Sequence, residues 1–149
     1  VFGSASYSGI GFAVPIDIVK KVLPSLIKEG SYDYPYLGIS SKDGLTLDEI
    51  EAMGFDANAQ GVFVLDVTPG GPAAKAGIKA GTRTTKYQGL YAGGDLITAV
   101  DGIQVKDYNQ LLTYLFMNKA PGDSMRLTVL RNGTEKEFTV TLGSRSEQK

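Results

Sequence analysis

Histidine and cysteine are both missing from this chain of 149 residues, and the two absences remove whole classes of chemistry. Without histidine the commonest general base and metal ligand is gone. A Ser-His-Asp triad cannot be assembled from these residues alone. Without cysteine there are no disulfides, thiol nucleophiles or thiolate metal sites; because its absence suits reducing and oxidising compartments alike, it places the protein in neither. Charge of one sign is lacking too: 15 Lys and Arg against 16 Asp and Glu leave a net −1, so there is no basic field for nucleic acid or acidic lipid. No apolar run approaches the roughly 18–20 residues that span a bilayer. The chain taken alone is therefore expected to be no enzyme, to hold no metal or cofactor, to bind no nucleic acid and to contain no membrane segment. It opens on Val1 with no charged-then-apolar leader, which reads as a piece of a longer protein with any targeting segment outside it.

What is present is an ordinary globular composition, 42% hydrophobic and 21% charged. That suits one domain of roughly 100–150 residues plus a short extra piece, with a core that needs no metal or disulfide. Residues 9–15 read as a short buried strand stopped by Pro15. Val19, Val22, Leu23, Leu26 and Ile27 then recur at helical spacing, with Asp17 early, Lys28 late and Gly30 as the stop. Pro24 is expected to kink or restart that helix. One strand and one helix fall below the ~40 residues that usually fold alone, so this piece needs a partner surface. Residues 31–35 read as a linker.

Beyond the linker the text changes to short strands punctuated by glycine. A strand is expected at 36–40, a short helix at 45–53, a β-branched central strand at 61–67 and one helical turn at 72–77. Another strand at 95–100 ends in the turn Asp101-Gly102. Asp107 caps a helix to about Asn118 with Tyr108, Leu111, Leu112, Leu115 and Phe116 on one face. Strands at 126–130 and 135–142 flank the hairpin signal Asn132-Gly133. The expected fold is mostly β with two or three helices, an α+β domain built as a small, partly open β-barrel or sandwich. Expected boundaries are 1–33 for the leading piece and linker, 34–143 for the domain and 144–149 for a polar tail.

Three stretches carry a resemblance: Tyr36-Leu37-Gly38-Ile39; Gly71-Pro72-Ala73-Ala74-Lys75-Ala76-Gly77-Ile78 with the later Gly94-Asp95-Leu96-Ile97-Thr98-Ala99-Val100-Asp101-Gly102; and Pro121-Gly122-Asp123 leading to Val129-Leu130-Arg131-Asn132-Gly133. In this order residues 36–143 resemble a PDZ domain, circularly permuted as in bacterial-type proteases. The resemblance implies a groove that takes an extended peptide by strand addition at a free sheet edge. Tyr36, Leu37, Gly38 and Ile39 would receive the peptide's terminal carboxylate on converging backbone N–H groups. Ser40 and Ser41 would continue the receiving strand, and the helix after Asp107 would form the opposite wall. Tyr108 with Leu112 and Leu115 fits one register of that wall and Leu111 with Leu115 another; both faces are apolar, and the bland alternative is that these leucines are core.

The run from Ser8 to Pro15 and then Lys20-Lys21-Val22-Leu23-Pro24-Ser25-Leu26-Ile27 is similar to the end of the chymotrypsin-like domain of the HtrA/Deg serine proteases. The nucleophile motif of that family, Gly-Asn-Ser-Gly-Gly, is absent, and Ser4, Ser6 and Ser8 have no glycine-bracketed turn and no histidine to activate them. The family implies a DegP-like module that recognises C-terminal or unfolded polypeptide segments and regulates proteolysis of misfolded proteins. It also implies the protease domain as a partner and an extracytoplasmic setting, periplasm or cell surface. The competing reading is an assembly element, with the groove filled internally and the apolar face of the first helix supporting homo-oligomers. One departure stands out: residues 82–93 intervene where the family passes directly from Gly81 to the next strand, and they read as a tolerated surface insertion or, on the functional alternative, as an added contact with substrate or with the protease domain. Asp43, Asp48, Glu49 and Glu51 read as a solvated face rather than a calcium loop.

Overall fold

The computed structural model describes residues 16–146, so the strand expected at 9–15 and Ser4, Ser6 and Ser8 lie outside the described residues. Contacts divide the chain into two units, Val1–Tyr32 and Asp33–Lys149. In the first, α1 (Ile16–Glu29) forms where the apolar spacing places it and runs as one helix through Pro24 rather than restarting there; none of its residues is buried. Gly30 ends it in the left-handed region, at φ 71°.

The second unit is a mixed α+β fold. In chain order it holds β1 (Pro35–Tyr36), β2 (Ile39–Ser40), α2 (Leu47–Ala52), β3 (Val62–Phe63), β4 (Asp66–Val67), α3 (Pro72–Ala76), β5 (Arg83–Thr84) and β6 (Tyr91–Ala92). There follow β7 (Leu96–Val100), β8 (Ile103–Gln104), α4 (Tyr108–Asn118), β9 (Ser124–Arg131), β10 (Thr134–Thr141) and β11 (Gly143–Ser144). This unit holds three helices, within the expected two or three, the 72–76 turn closing as one with Pro72 at its start and Gly77 as a left-handed cap. The main sheet runs β10-β9-β7-β3, with β8 on β7, and small pairs β1-β11, β2-β4 and β5-β6 stand beside it. The expected hairpin closes β9 onto β10 at Asn132, φ 51°, and Gly133, φ 73°. Asn there tolerates the left-handed region that this turn demands.

Two expected elements come out differently. The run 61–67 is divided: β3 pairs with β7, while β4 pairs with β2. Between them the Val64 N–H donates to the Asp95 carbonyl and the Leu65 N–H to the Ser40 carbonyl, so the chain changes partner in a single step. The supposed tail from 144 is not free either. Ser144 is buried and pairs with Pro35, and its hydroxyl and the Ser146 N–H both donate to the Asp33 carboxylate.

The core lies on both faces of the main sheet. On one face Val62, Ile97, Leu127, Val129 and Val140 meet Leu111 and Leu115 of α4. On the other, Phe63 and Leu96 meet Ile50 and Met53 of the α2 segment and Leu90 of the insertion. Strand alternation explains the split, since Val62 and Phe63, like Ile97 and Leu96, are neighbours that point opposite ways. A register shift between Ile97 and Ala99 lets Val100 return to the face of Ile97.

Candidate functional site

The site begins at Gly38. Its φ of +82° lies in the region that side chains disfavour, and a Cβ added there would press on the Tyr36 ring at 3.3 Å and on Pro72 at 3.4 Å. The Leu37 carbonyl accepts from the Ala73 N–H at 2.9 Å, and the Gly38 carbonyl from the Thr68 N–H at 3.0 Å. A trans peptide points its C=O and the following N–H in opposite directions. Anchoring these two carbonyls on α3 and on the chain beside β4 therefore turns the N–H groups of Gly38 and Ile39 the other way. The Tyr36 hydroxyl, bonded to the Thr68 hydroxyl at 2.8 Å, holds the turn in place.

The Ile39–Val67 pairing supports the same geometry from the strand. In antiparallel pairing, both main-chain groups of a residue face either the partner or the opposite edge. Gly38 and Ser40 give their carbonyls to the β4 side, which leaves the N–H and C=O of Ile39 on the other edge. That edge faces α4. The Tyr108 hydroxyl reaches the Ile39 carbonyl at 3.4 Å.

Between this edge and α4 lies a cleft of about 480 Å³. One wall is Pro35, Tyr36, Leu37, Gly38 and Ile39, joined by Arg145; the other is Tyr108, Leu111, Leu112, Leu115 and Phe116. Eight of the residues singled out by sequence thus come together: Tyr36, Leu37, Gly38 and Ile39 facing Tyr108, Leu111, Leu112 and Leu115. Leu111 and Leu115 are core residues, 1% and 2% exposed, that also floor the cleft, whereas Leu112 and Tyr108 are half-buried and reach solvent. Ser40 and Ser41 do not line it, because Ser40 is committed to β4 and β2 ends there. Sequence reasoning missed Pro35, Phe116 as a wall residue, and Arg145.

Local chemistry places the helical wall. Asp107 caps α4 through a bond from the Gln110 N–H at 2.8 Å. Asp43, read from sequence as part of a solvated acidic face, takes the Tyr108 N–H at 2.9 Å and the Asn109 amide at 2.9 Å, tying the start of α4 to the segment after β2. Burial pushes the Tyr108 phenol above its ordinary value, against the opposing charge of Arg145 and with help from Tyr36 and Asp43, so Tyr108 stays a neutral donor at physiological pH. Among the described residues no cluster of three or more acidic, His or Cys side chains could hold a metal, and no described helix is long and apolar enough to cross a membrane. The cleft's chemistry is that of a strand-sized trough: main-chain donors and acceptors along one edge, apolar side chains opposite, and one cation, Arg145, in its lining.

The insertion 82–93 is a folded element. It forms the β5-β6 hairpin, buries Leu90 at 5% exposure, and is braced by the Thr85 hydroxyl, which donates to the Leu90 carbonyl at 2.8 Å.

A family model described as the PDZ domain matches residues 35–142. Among curated proteins, the chain is 34% identical over 140 residues to a probable periplasmic serine endoprotease DegP-like of Halomonas elongata, covering 94% of this chain and 26% of that protein. It is 32% identical over 145 residues to the chloroplastic Protease Do-like 1 of Arabidopsis thaliana, covering 97% and 31%. The chain thus spans between about a quarter and a third of the length of these relatives. Among solved structures, an HtrA-type protease AlgW with decapeptide superposes with a TM-score of 0.73 at 28% identity, over 97% of this chain and 40% of that one. The HtrA3 PDZ domain bound to a phage-derived ligand has a TM-score of 0.54 at 21% identity, over 76% and 88%, a likeness of fold.

Proposed function

This chain belongs to the PDZ domain family, and we propose that it is the peptide-recognition module of an HtrA-like serine endopeptidase. An extended polypeptide segment adds itself antiparallel to β2, exchanging main-chain hydrogen bonds with Ile39 and laying alternate side chains against Leu112, Leu115 and Phe116. Its C-terminal carboxylate lies at the turn of Tyr36, Leu37, Gly38 and Ile39, where the N–H groups of Gly38 and Ile39 converge. The observation that carries this reading is the open cleft between the outer edge of Ile39, whose carbonyl meets only the long 3.4 Å bond from the Tyr108 hydroxyl, and the apolar face of α4. A groove occupied from within, as an assembly element requires, fits an open cleft of about 480 Å³ less well.

Partners follow from the same reading: exposed or unfolded C-terminal segments, and a protease domain in the whole protein. With no histidine in this chain, proteolysis by the whole protein rests on residues elsewhere. The setting we infer is extracytoplasmic, supported by relatives named periplasmic.

Backbone amide shift mapping with a short peptide carrying a free apolar C-terminus tests the function. Shifts gathered at residues 37–41 and along α4 are expected. A folded spectrum with no response there at millimolar peptide overturns the reading.

A further inference from the structure

Past Ile39 the chain does not continue along the trough. Ser40 gives its carbonyl to the Leu65 N–H at 3.0 Å, and β2 ends there. Three residues later the Asp43 carboxylate is bonded to the opposite wall. One of its oxygens takes the Tyr108 N–H and the other the Asn109 side-chain amide, each at 2.9 Å. A segment that starts on one wall and is bonded to the first residues of the other must cross the gap between them. The Tyr108 hydroxyl, reaching the Ile39 carbonyl at 3.4 Å, spans the same end.

The space around this crossing is partitioned accordingly. Residues 40–43 contribute nothing to the cleft lining. On the far side lies a smaller cavity of about 170 Å³, bordered by Lys42, Asp43, Gly44, Lys106 and Asp107, and among the described residues it shares none with the cleft. Strand geometry decides which part of a ligand meets the bridge. β2 runs from the Gly38 turn toward Asp43, so an antiparallel ligand ending at that turn has its upstream residues at the Asp43 end. Main-chain groups on one edge come from alternate residues, so the receiving position after Ile39 would be Ser41, about 7 Å further on. Ser41 belongs to the bridging segment and not to an open edge.

We infer that Asp43 is a specificity-determining residue that shuts the upstream end of the cleft, so that residues further up a bound chain add nothing to its affinity until the bridge is opened. The inference rests on the peptide-binding reading above and adds to it a limit on ligand length set by one side chain. Hydrogen bonds to a carboxylate are the stronger class, and both Asp43 oxygens are engaged in the crossing. The loop they hold is exposed at Lys42, Asp43 and Gly44. Removing the carboxylate therefore frees a surface loop without cutting into either core.

The test uses the full chain and three peptides of three, six and nine residues that share one free apolar C-terminus, the added upstream residues being uncharged. The readout is the ratio of affinities, longest peptide over shortest. In wild type it should stay within twofold of one. Asp43→Ala should raise it about five- to tenfold, as suits one or two further main-chain hydrogen bonds along the freed edge. Asn109→Ala removes only the side-chain half of the bridge and should raise it less. Asp43→Asn keeps an acceptor for the Tyr108 N–H and should stay nearest to wild type. A wild type that already gains fivefold with length has an open end, and the inference fails with the cleft reading intact. An unchanged ratio in folded Asp43→Ala makes the bridge a structural tie only, and the inference fails likewise. Should Asp43→Ala not fold, Asn109→Ala decides in its place, an unchanged ratio there overturning the inference. Wild type binding no peptide of any length overturns the inference and the cleft reading together.

Discussion

The two faces of the main sheet carry cores of different kinds. On the face toward α4, Val62, Ile97, Val100, Leu127 and Val129 form a layer to which a register shift in β7 returns Val100, and the α4 residues that pack in the same core, Leu111 and Leu115, are also the floor of the cleft. On the other face Ile50, Met53, Phe63, Leu90 and Leu96 form a smaller cluster, closed by a short helix and by the inserted hairpin. The larger core shapes the binding surface, and a defect there is felt by the ligand. The smaller core has no share in lining the cleft, so it stabilises the sheet without setting its specificity.

The seam between the two faces is Asp95, and the largest effect is expected there. It has no exposed surface, sits just before Leu96 and Ile97, and takes Arg131 at 2.6 and 2.7 Å and the Lys79 N–H at 2.8 Å. The same guanidinium donates to the Gly77 carbonyl at 2.7 Å. Asp95→Ala strands a largely buried cation and an amide, at a cost of about 3–5 kcal/mol, read as a fall in the urea midpoint. A loss below about 1 kcal/mol would mean that the seam is not what joins the two cores. The pair replaced together by apolar residues should lose less than the single change, because no orphaned charge remains.

Next in size is a matched pair of truncations. Leu111→Ala in the larger core should destabilise by about 3 kcal/mol and Leu90→Ala in the smaller by about 2 kcal/mol, within the range for buried leucines. The distinguishing readout is peptide affinity measured where both variants are fully folded. Leu111→Ala should weaken binding severalfold through the cleft floor, and Leu90→Ala should leave it within twofold. Equal effects on affinity would show that the two faces are mechanically one.

This contrast also separates what could be read in advance from what could not. Local signals held: Asp107 as a cap, Asn132-Gly133 as a hairpin and Gly77 as a helix stop are decisions of a few adjacent residues. The apolar face of α4 and the Tyr36–Ile39 turn came together in one cleft because both are short patterns with few alternatives. The division of 61–67 depends on which strands lie beside it, Leu90 is buried in a cluster with Ile50, Met53, Phe63 and Leu96 from distant parts of the chain, and the Arg145 backbone gains its place beside Ser144, which is bonded to Asp33 111 positions away. Partners that distant leave no periodic trace in a single sequence.

A smaller effect tests the helix that closes the smaller core. Thr46 caps α2 reciprocally: its hydroxyl accepts the Glu49 N–H at 3.3 Å and its own N–H donates to the Glu49 carboxylate at 2.8 Å. Thr46→Ala should cost about 1 kcal/mol and speed amide exchange in α2 while α4 keeps its protection. Matching acceleration in α4 would argue that the cores do not open separately.

The smallest effect concerns acid, and it falls on the side of the larger core. Burial pushes the Asp101 carboxyl up, but bonds from the Arg126 N–H, from Lys119 and from the Tyr114 hydroxyl, at 2.8, 2.9 and 2.9 Å, outweigh it and leave the group below its ordinary value. A folded-state value below the unfolded one means that protons bind the unfolded chain more readily. The resulting stability is therefore complete above the unfolded carboxylate range, about pH 4, and is lost as pH falls through the lower folded value. Asp101→Asn removes this titration while keeping an acceptor for Arg126 and a residue suited to φ 47°. The stability difference between wild type and the variant should stay flat from pH 7 to about 5 and shrink below about 4. A difference that holds constant down to pH 2 would mean that Asp101 gives this turn its shape and not its charge.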